Sequence, residues 1–120
     1  MKEGVVLFAH GSRDPEWSRP FEQIALGLKK RMPAVAVAMA YLEHGTSLEE
    51  AVGVLAAKGA LSVRVVPVFL GQGGHVKQDL PLLFSRTSAA YPNLQLVLEQ
   101  AIGERQPVID AIADVICAAR

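Results

Sequence analysis

Four stretches of this chain, residues 4–9, 35–42, 61–69 and 94–98, are apolar, nearly free of charge and of strand length. A segment with helical spacing of apolar residues follows each one. This alternation constrains the fold more than any other feature. Strands with no polar alternation are buried on both faces, and strands separated by helices are joined by crossovers rather than hairpins, so they run parallel. The order β-α-β-α-β-α-β-α predicts one α/β domain over residues 1–120, with a four-stranded parallel sheet and helices on both faces. Right-handed crossovers make 2-1-3-4 the expected strand order.

The punctuation between these runs agrees with that reading. Asp14 is placed to cap the first helix and Pro15 suits its first position. Trp17, Phe21, Ile24 and Leu28 form one apolar face, and Pro33 lies beyond its end. Ser47 and Glu50 have the spacing of a capping box, ahead of Leu48, Ala51, Val52 and Leu55. Gly59 is a C-terminal stop. Pro67 sits late in the third run, where a strand ends. Asp79 caps a third helix with Pro81 in its first turn, and Pro107 opens a fourth whose apolar face is Val108, Ile109, Ile112, Val115 and Ile116.

Composition removes several function classes. Twelve basic residues balance twelve acidic ones. Broad binding to nucleic acid or an anionic membrane needs a basic excess, so neither is expected. The single cysteine, Cys117, permits no disulfide within the chain and points to a reducing cytoplasm; it reads as a small buried apolar residue of the last helix. No secretory leader pattern opens the sequence, and no apolar run reaches the ~18–20 residues a transmembrane helix needs.

In strand order 2-1-3-4 the winding reverses between strands 1 and 3, and ligands bind outside the carboxyl ends at such a point. The loop after strand 1 begins with His10, and the loop after strand 3 carries His75. Two neutral imidazoles at one crevice can hold a divalent transition metal or move protons near neutral pH. They are too few for a closed structural zinc site, and no cysteine cluster supplies the rest. Glu43, at the end of strand 2, adds a carboxylate at the crevice edge, whereas His44 reads as a surface histidine. Gly71, Gly73 and Gly74 make a loop whose backbone can approach a ligand closely, and Arg13, Arg19 and Lys77 could meet an anionic one. The Walker A spacing, the dinucleotide glycine fingerprint and the serine-hydrolase elbow are all absent.

Ala9-His10-Gly11-Ser12-Arg13-Asp14, followed about 65 residues later by Gly73-Gly74-His75-Val76-Lys77-Gln78-Asp79-Leu80-Pro81, resembles the short, single-unit sirohydrochlorin chelatases. Val66-Pro67-Val68-Phe69-Leu70 and Tyr41-Leu42-Glu43 fit the same pattern, which covers nearly the whole chain. The resemblance implies a chelatase-like half-unit that inserts Co2+ or Fe2+ into sirohydrochlorin without ATP, toward cobalamin or sirohaem, with Ni2+ used by close relatives. The metal is then a substrate, and no tightly bound cofactor is expected. The resemblance assigns metal binding to His10 and His75, proton acceptance to His10, and tetrapyrrole contact to the loop of Leu70, Gly71, Gln72, Gly73, Gly74 and His75. Longer relatives carry two such units in one chain, so a unit of this length is expected to work as a homodimer around the tetrapyrrole. The chain departs from the pattern at Glu43-His44-Gly45-Thr46-Ser47, one residue shorter than the family's usual loop. There Gly45 or His44 takes the place of a second carboxylate that would meet the substrate. The competing reading is a tetrapyrrole- or metal-binding carrier without turnover.

Overall fold

The computed structural model describes residues 2–119. Its elements are β1 (Glu3–Ala9), α1 (Arg19–Arg31), β2 (Ala36–Tyr41), α2 (Leu48–Ala57), β3 (Ser62–Pro67), α3 (Gly74–Ala90), β4 (Gln95–Leu98) and α4 (Gln106–Ala118), with short 3-10 turns at Pro15–Ser18 and Ile102–Glu104. The strands form one parallel sheet in the order β2-β1-β3-β4, as expected from the sequence.

Alternation along the strands sorts the side chains between two faces. Val6 and Phe8 of β1, Ala40 of β2, and Val63 and Val65 of β3 point to one face. There they join Leu48, Ala51, Val52 and Leu55 of α2 and Val76 and Leu80 of α3 in a buried cluster. Val5, Leu7 and Val66 point to the other face, where Ala25 of α1 is the one helical residue buried with them. The capping box forms as its spacing predicts: the Glu50 amide donates to Ser47 Oγ at 3.1 Å and the Ser47 amide to the Glu50 carboxylate at 3.2 Å. These bonds hold the Glu50 carboxyl below the usual carboxylate range, the backbone bond from Ser47 contributing most.

Three helices depart from the expectations. The segment after Asp14 is first a 3-10 turn, capped by Asp14 Oδ1 accepting from the Glu16 amide at 2.9 Å; the α-helix starts only at Arg19. Pro20 explains the break, because it has no N–H and its ring would clash with the Glu16 carbonyl in a continuous helix. Helix α3 begins at Gly74, not after Asp79, so Pro81 lies in its interior and the carbonyl of Lys77 loses its usual partner. The buried stripe of Val76, Leu80 and Thr87 explains why the helix tolerates this: packing outweighs the local penalty.

The third departure is larger. Helix α4 forms, with Pro107 in its first turn, but none of its residues is buried and its principal packing is against the 3-10 turn at Ile102–Glu104. Cys117, expected inside, is exposed.

Candidate active site at the carboxyl edge of the sheet

The β1–β2 ladder continues past the ends of both strands. The Leu42 amide donates to the Ala9 carbonyl at 2.9 Å, and the Glu43 amide to the His10 carbonyl at 3.1 Å. His10 and Glu43 are therefore lateral neighbours on two adjoining chains, and their side chains meet, with His10 Nε2 3.3 Å from Glu43 Oε1. Just beyond, Gly11 turns away at φ +97°, and a Cβ there would collide with the Glu43 carbonyl oxygen. Only glycine serves at this position, because both the dihedral and the contact forbid a side chain.

The short loop after β2 holds His44 at the surface, as the sequence suggests, yet close to the same carboxylate. His44 has φ +59°, and its Nε2 lies 3.7 Å from the same Glu43 oxygen that His10 approaches. Histidine is among the side chains that enter this backbone region more readily. The available signal was position: a histidine between a strand-end carboxylate and a glycine. Gly45 packs flat on the Tyr41 ring, where a Cβ would come within 2.5 Å of ring carbon Cδ2. Tyr41 also faces Trp17, which stacks on Phe21 with centroids 4.6 Å apart. Burial, with a smaller push from Glu22, raises the Tyr41 phenol above its ordinary value, so it remains neutral and part of the packing.

The other wall comes from β3. The Val68 amide donates to the Phe8 carbonyl at 2.7 Å, which keeps the chain beside β1 as the strand ends. The glycine loop follows, and His75 and Lys77 both fall on the first turn of α3 rather than in a loop. The Gly103 amide donates to the Phe69 carbonyl at 2.8 Å, so the unanticipated 3-10 turn at Ile102–Glu104 braces the root of this loop. Gly73 is the N-cap of α3 without a side-chain bond, and the first amides of that helix are open to an acceptor. Leu70, Gly71, Gly73, Gly74, His75, Lys77, Arg13 and Arg19 are exposed, while Gln72 is half-buried. Neither Arg13 nor Lys77 has an ion-pair partner among the described residues.

The structure thus brings His10 and His44 to the same Glu43 carboxylate, and it places His75 on the first turn of α3, beyond the loop that follows β3; among the described residues no group of three or more His, Cys, Asp or Glu side chains is arranged to hold a metal ion. Side chains of His10 and Glu43 are 52% and 53% exposed. The arrangement is an open edge that can present imidazole nitrogens and a carboxylate to an ion arriving from solvent, not an enclosed pocket.

The family model for CbiX matches residues 4–119. This chain belongs to the CbiX family. The sirohydrochlorin cobaltochelatase of Methanosarcina acetivorans is 33% identical over 85 residues, covering 70% of this CbiX chain and 65% of that protein. The crystal structure of the CbiX protein from Marinobacter aquaeolei VT8 is 30% identical and superposes with a TM-score of 0.85, over 98% of this chain and 96% of that one. The sirohydrochlorin chelatase SirB from Bacillus subtilis subspecies spizizenii, solved with cobalt, shares the fold at 24% identity and a TM-score of 0.82; this CbiX chain spans 51% of its length.

Proposed function

We propose that residues 1–120 form one chelatase-like unit that inserts a divalent metal, Co2+ or Fe2+ with Ni2+ as a further candidate, into sirohydrochlorin without ATP. The route served is cobalamin or sirohaem formation, the setting is a reducing cytoplasm, and the working species is a homodimer holding the tetrapyrrole between two units. The observation that carries the reading is the His10–Glu43 pair at 3.3 Å, set at the carboxyl edge beside the strand that leads to His75. Membership of the CbiX family supports the substrate class.

In this reading His10 and His75 hold the ion, and imidazoles bind it loosely enough to release it. Insertion replaces two pyrrole N–H bonds with two metal–nitrogen bonds, so two protons must leave. An imidazole that has given up the ion has its lone pair free for one proton, which makes His10 the acceptor of one, and the other leaves to water at the open edge. Glu43 orients that ring and stabilises its protonated form. The substrate carries several carboxylates, which the open amides of the Gly71–Gly74 loop, Arg13 and Lys77 receive, with Leu70 and Gly45 against the macrocycle.

Anaerobic absorbance spectra of sirohydrochlorin with Co2+ or Fe2+ test this. Multiple turnovers above the spontaneous rate are expected, and His10→Ala or His75→Ala should lower the rate by at least a hundredfold, in line with loss of a general base. Stoichiometric binding without turnover would make the protein a carrier instead.

A further inference from the structure

One flank of the carboxyl edge is aromatic, and the chemistry above leaves it unused. Tyr41 ends β2 and has the parity of Val37 and Met39, so it points to the face that carries α1. There it meets Trp17, with ring centroids 6.4 Å apart, and Trp17 in turn lies 4.6 Å from Phe21. The three rings brace one another between the first 3-10 turn, α1 and β2. None of them is fully buried, so the stack reaches the surface.

This corner adjoins the residues that the proposed function assigns to the ion and its protons. A Cβ on Gly11, the residue after His10, would stand 3.2 Å from Tyr41 Cβ, and one on Gly45, the residue after His44, would stand 2.5 Å from the ring. The opposite flank carries a second apolar group. A Cβ on Gly103 would collide with the Leu70 backbone, which therefore rests on the second 3-10 turn while the Leu70 side chain is 73% exposed. In the sheet, β1 lies between β2 and β3, so His10 lies between the aromatic corner and Leu70. The strands that lead to these two supports are two spacings apart, roughly 10 Å.

We infer that Trp17, backed by Phe21 and Tyr41, is the surface on which one margin of the tetrapyrrole rests, with Leu70 under the other margin and the central nitrogens brought over His10. This deepens the chelatase reading and rests on it. A tetrapyrrole is a rigid plane with apolar faces and with its carboxylates at the rim. Amides and cations can hold that rim, but they leave the tilt of the plane free. A face packed against an aromatic ring fixes the tilt, because stacked rings have a preferred geometry. Trp17 is held on two sides before the substrate arrives, so little side-chain freedom is lost on binding.

Trp17 is the chain's one tryptophan, so a single indole N–H resonance reports on it. When metal-free sirohydrochlorin is added anaerobically to the isotope-labelled full chain, that resonance should move under the macrocycle's ring current, which acts only on groups close to the ring. Trp17→Leu keeps the apolar bulk and removes the aromatic face. It should raise KM for sirohydrochlorin about tenfold, the loss falling on KM rather than on kcat, and Trp17→Phe should recover most of it. Co2+ alone should bind all three proteins equally, since indole is not a ligand. An indole resonance that stays in place while the macrocycle binds would overturn the inference, and so would an unchanged KM in Trp17→Leu; metal insertion by the parent would stand in both cases. A fall in kcat with loss of helical dichroism, unrelieved in Trp17→Phe, would make Trp17 a packing residue only. A parent that neither binds nor metallates sirohydrochlorin would remove the chelatase reading together with this one.

Discussion

On one face of the sheet, Val6, Phe8, Val63 and Val65 are sealed beneath two helices, and twelve buried residues form a single cluster. On the other, Val5, Leu7 and Val66 are covered by α1 with only Ile102 of the second 3-10 turn beside it, and the buried cluster numbers four. The same strands supply both faces, so strand composition does not cause the difference. What differs is what the helices bury. Helices α2 and α3 bury side chains against the sheet, whereas α4 buries none. The first face is finished within the chain. The second also carries Arg64 in mid-strand, with its Nε 3.3 Å from Glu3 and its Nη1 3.3 Å from Glu99. A guanidinium on a strand is tolerated where it is only half-buried, and on the closed face it would have to be desolvated.

If the first face is self-sufficient, damage there should be severe and independent of protein concentration. Phe8→Ala removes a fully buried ring that packs edge-on against Phe69 at 6.1 Å, and should cost about 3–5 kcal/mol in denaturant unfolding at any concentration. A cost below ~1 kcal/mol would mean that this face is not the main core. On the open face, Leu28→Ala removes a half-buried side chain packed on that cluster and should cost less, about 1–2 kcal/mol. The cost is smaller because the side chain is already half-exposed. A cost for Leu28→Ala equal to that of Phe8→Ala would erase the distinction between the faces.

Smaller effects belong to the ends of helices. Ser47→Ala removes the cap of α2 and should cost about 1 kcal/mol in thermal or chemical unfolding. The capping carboxylate adds a pH dependence of definite sign. Glu50 titrates lower in the folded chain than unfolded, so its contribution is complete above the unfolded carboxylate pKa and is lost as pH falls through the folded one. Melting curves between pH 7 and pH 3 should therefore converge for the parent and Glu50→Gln at the acid end. Curves that diverge on acidification would reverse the assignment.

Much of this was legible in the residues. Unalternated apolar runs gave the parallel sheet, and the spacing of Ser47 and Glu50 gave the capping box. His10 and Glu43 could be placed at the carboxyl edge because strand ends are readable from where apolar runs stop. The misreadings share a cause, since each turns on a packing term or a backbone break outside the local pattern. Pro20 was passed over, and it resets the start of α1. Asp79 looked like a cap, yet the buried stripe from Val76 to Thr87 draws the helix back to Gly74. The apolar face of α4 was legible, but its burial and that of Cys117 were not: the helix forms without burying a residue, and amphipathicity does not say which surface, if any, covers it. His44 is exposed, as its sequence position suggested, but its approach to Glu43 depends on a left-handed backbone that no periodicity reports.

The hydrogen bonds from Leu42 to Ala9 and from Glu43 to His10 make one side of the carboxyl edge a continuation of the sheet. The spacing of those two backbones is then set by the strand ladder, a dimension common to all β-structure. His75 stands differently, at the head of a helix reached through Gly71 and Gly73, where added methyl groups would touch nothing within 4 Å. On the proposed function, the edge would be a caliper with one fixed jaw and one sliding jaw. Ions of different radius would then be accommodated through the glycine loop, and a chain that stiffens it with larger residues would give up range in exchange for a single setting.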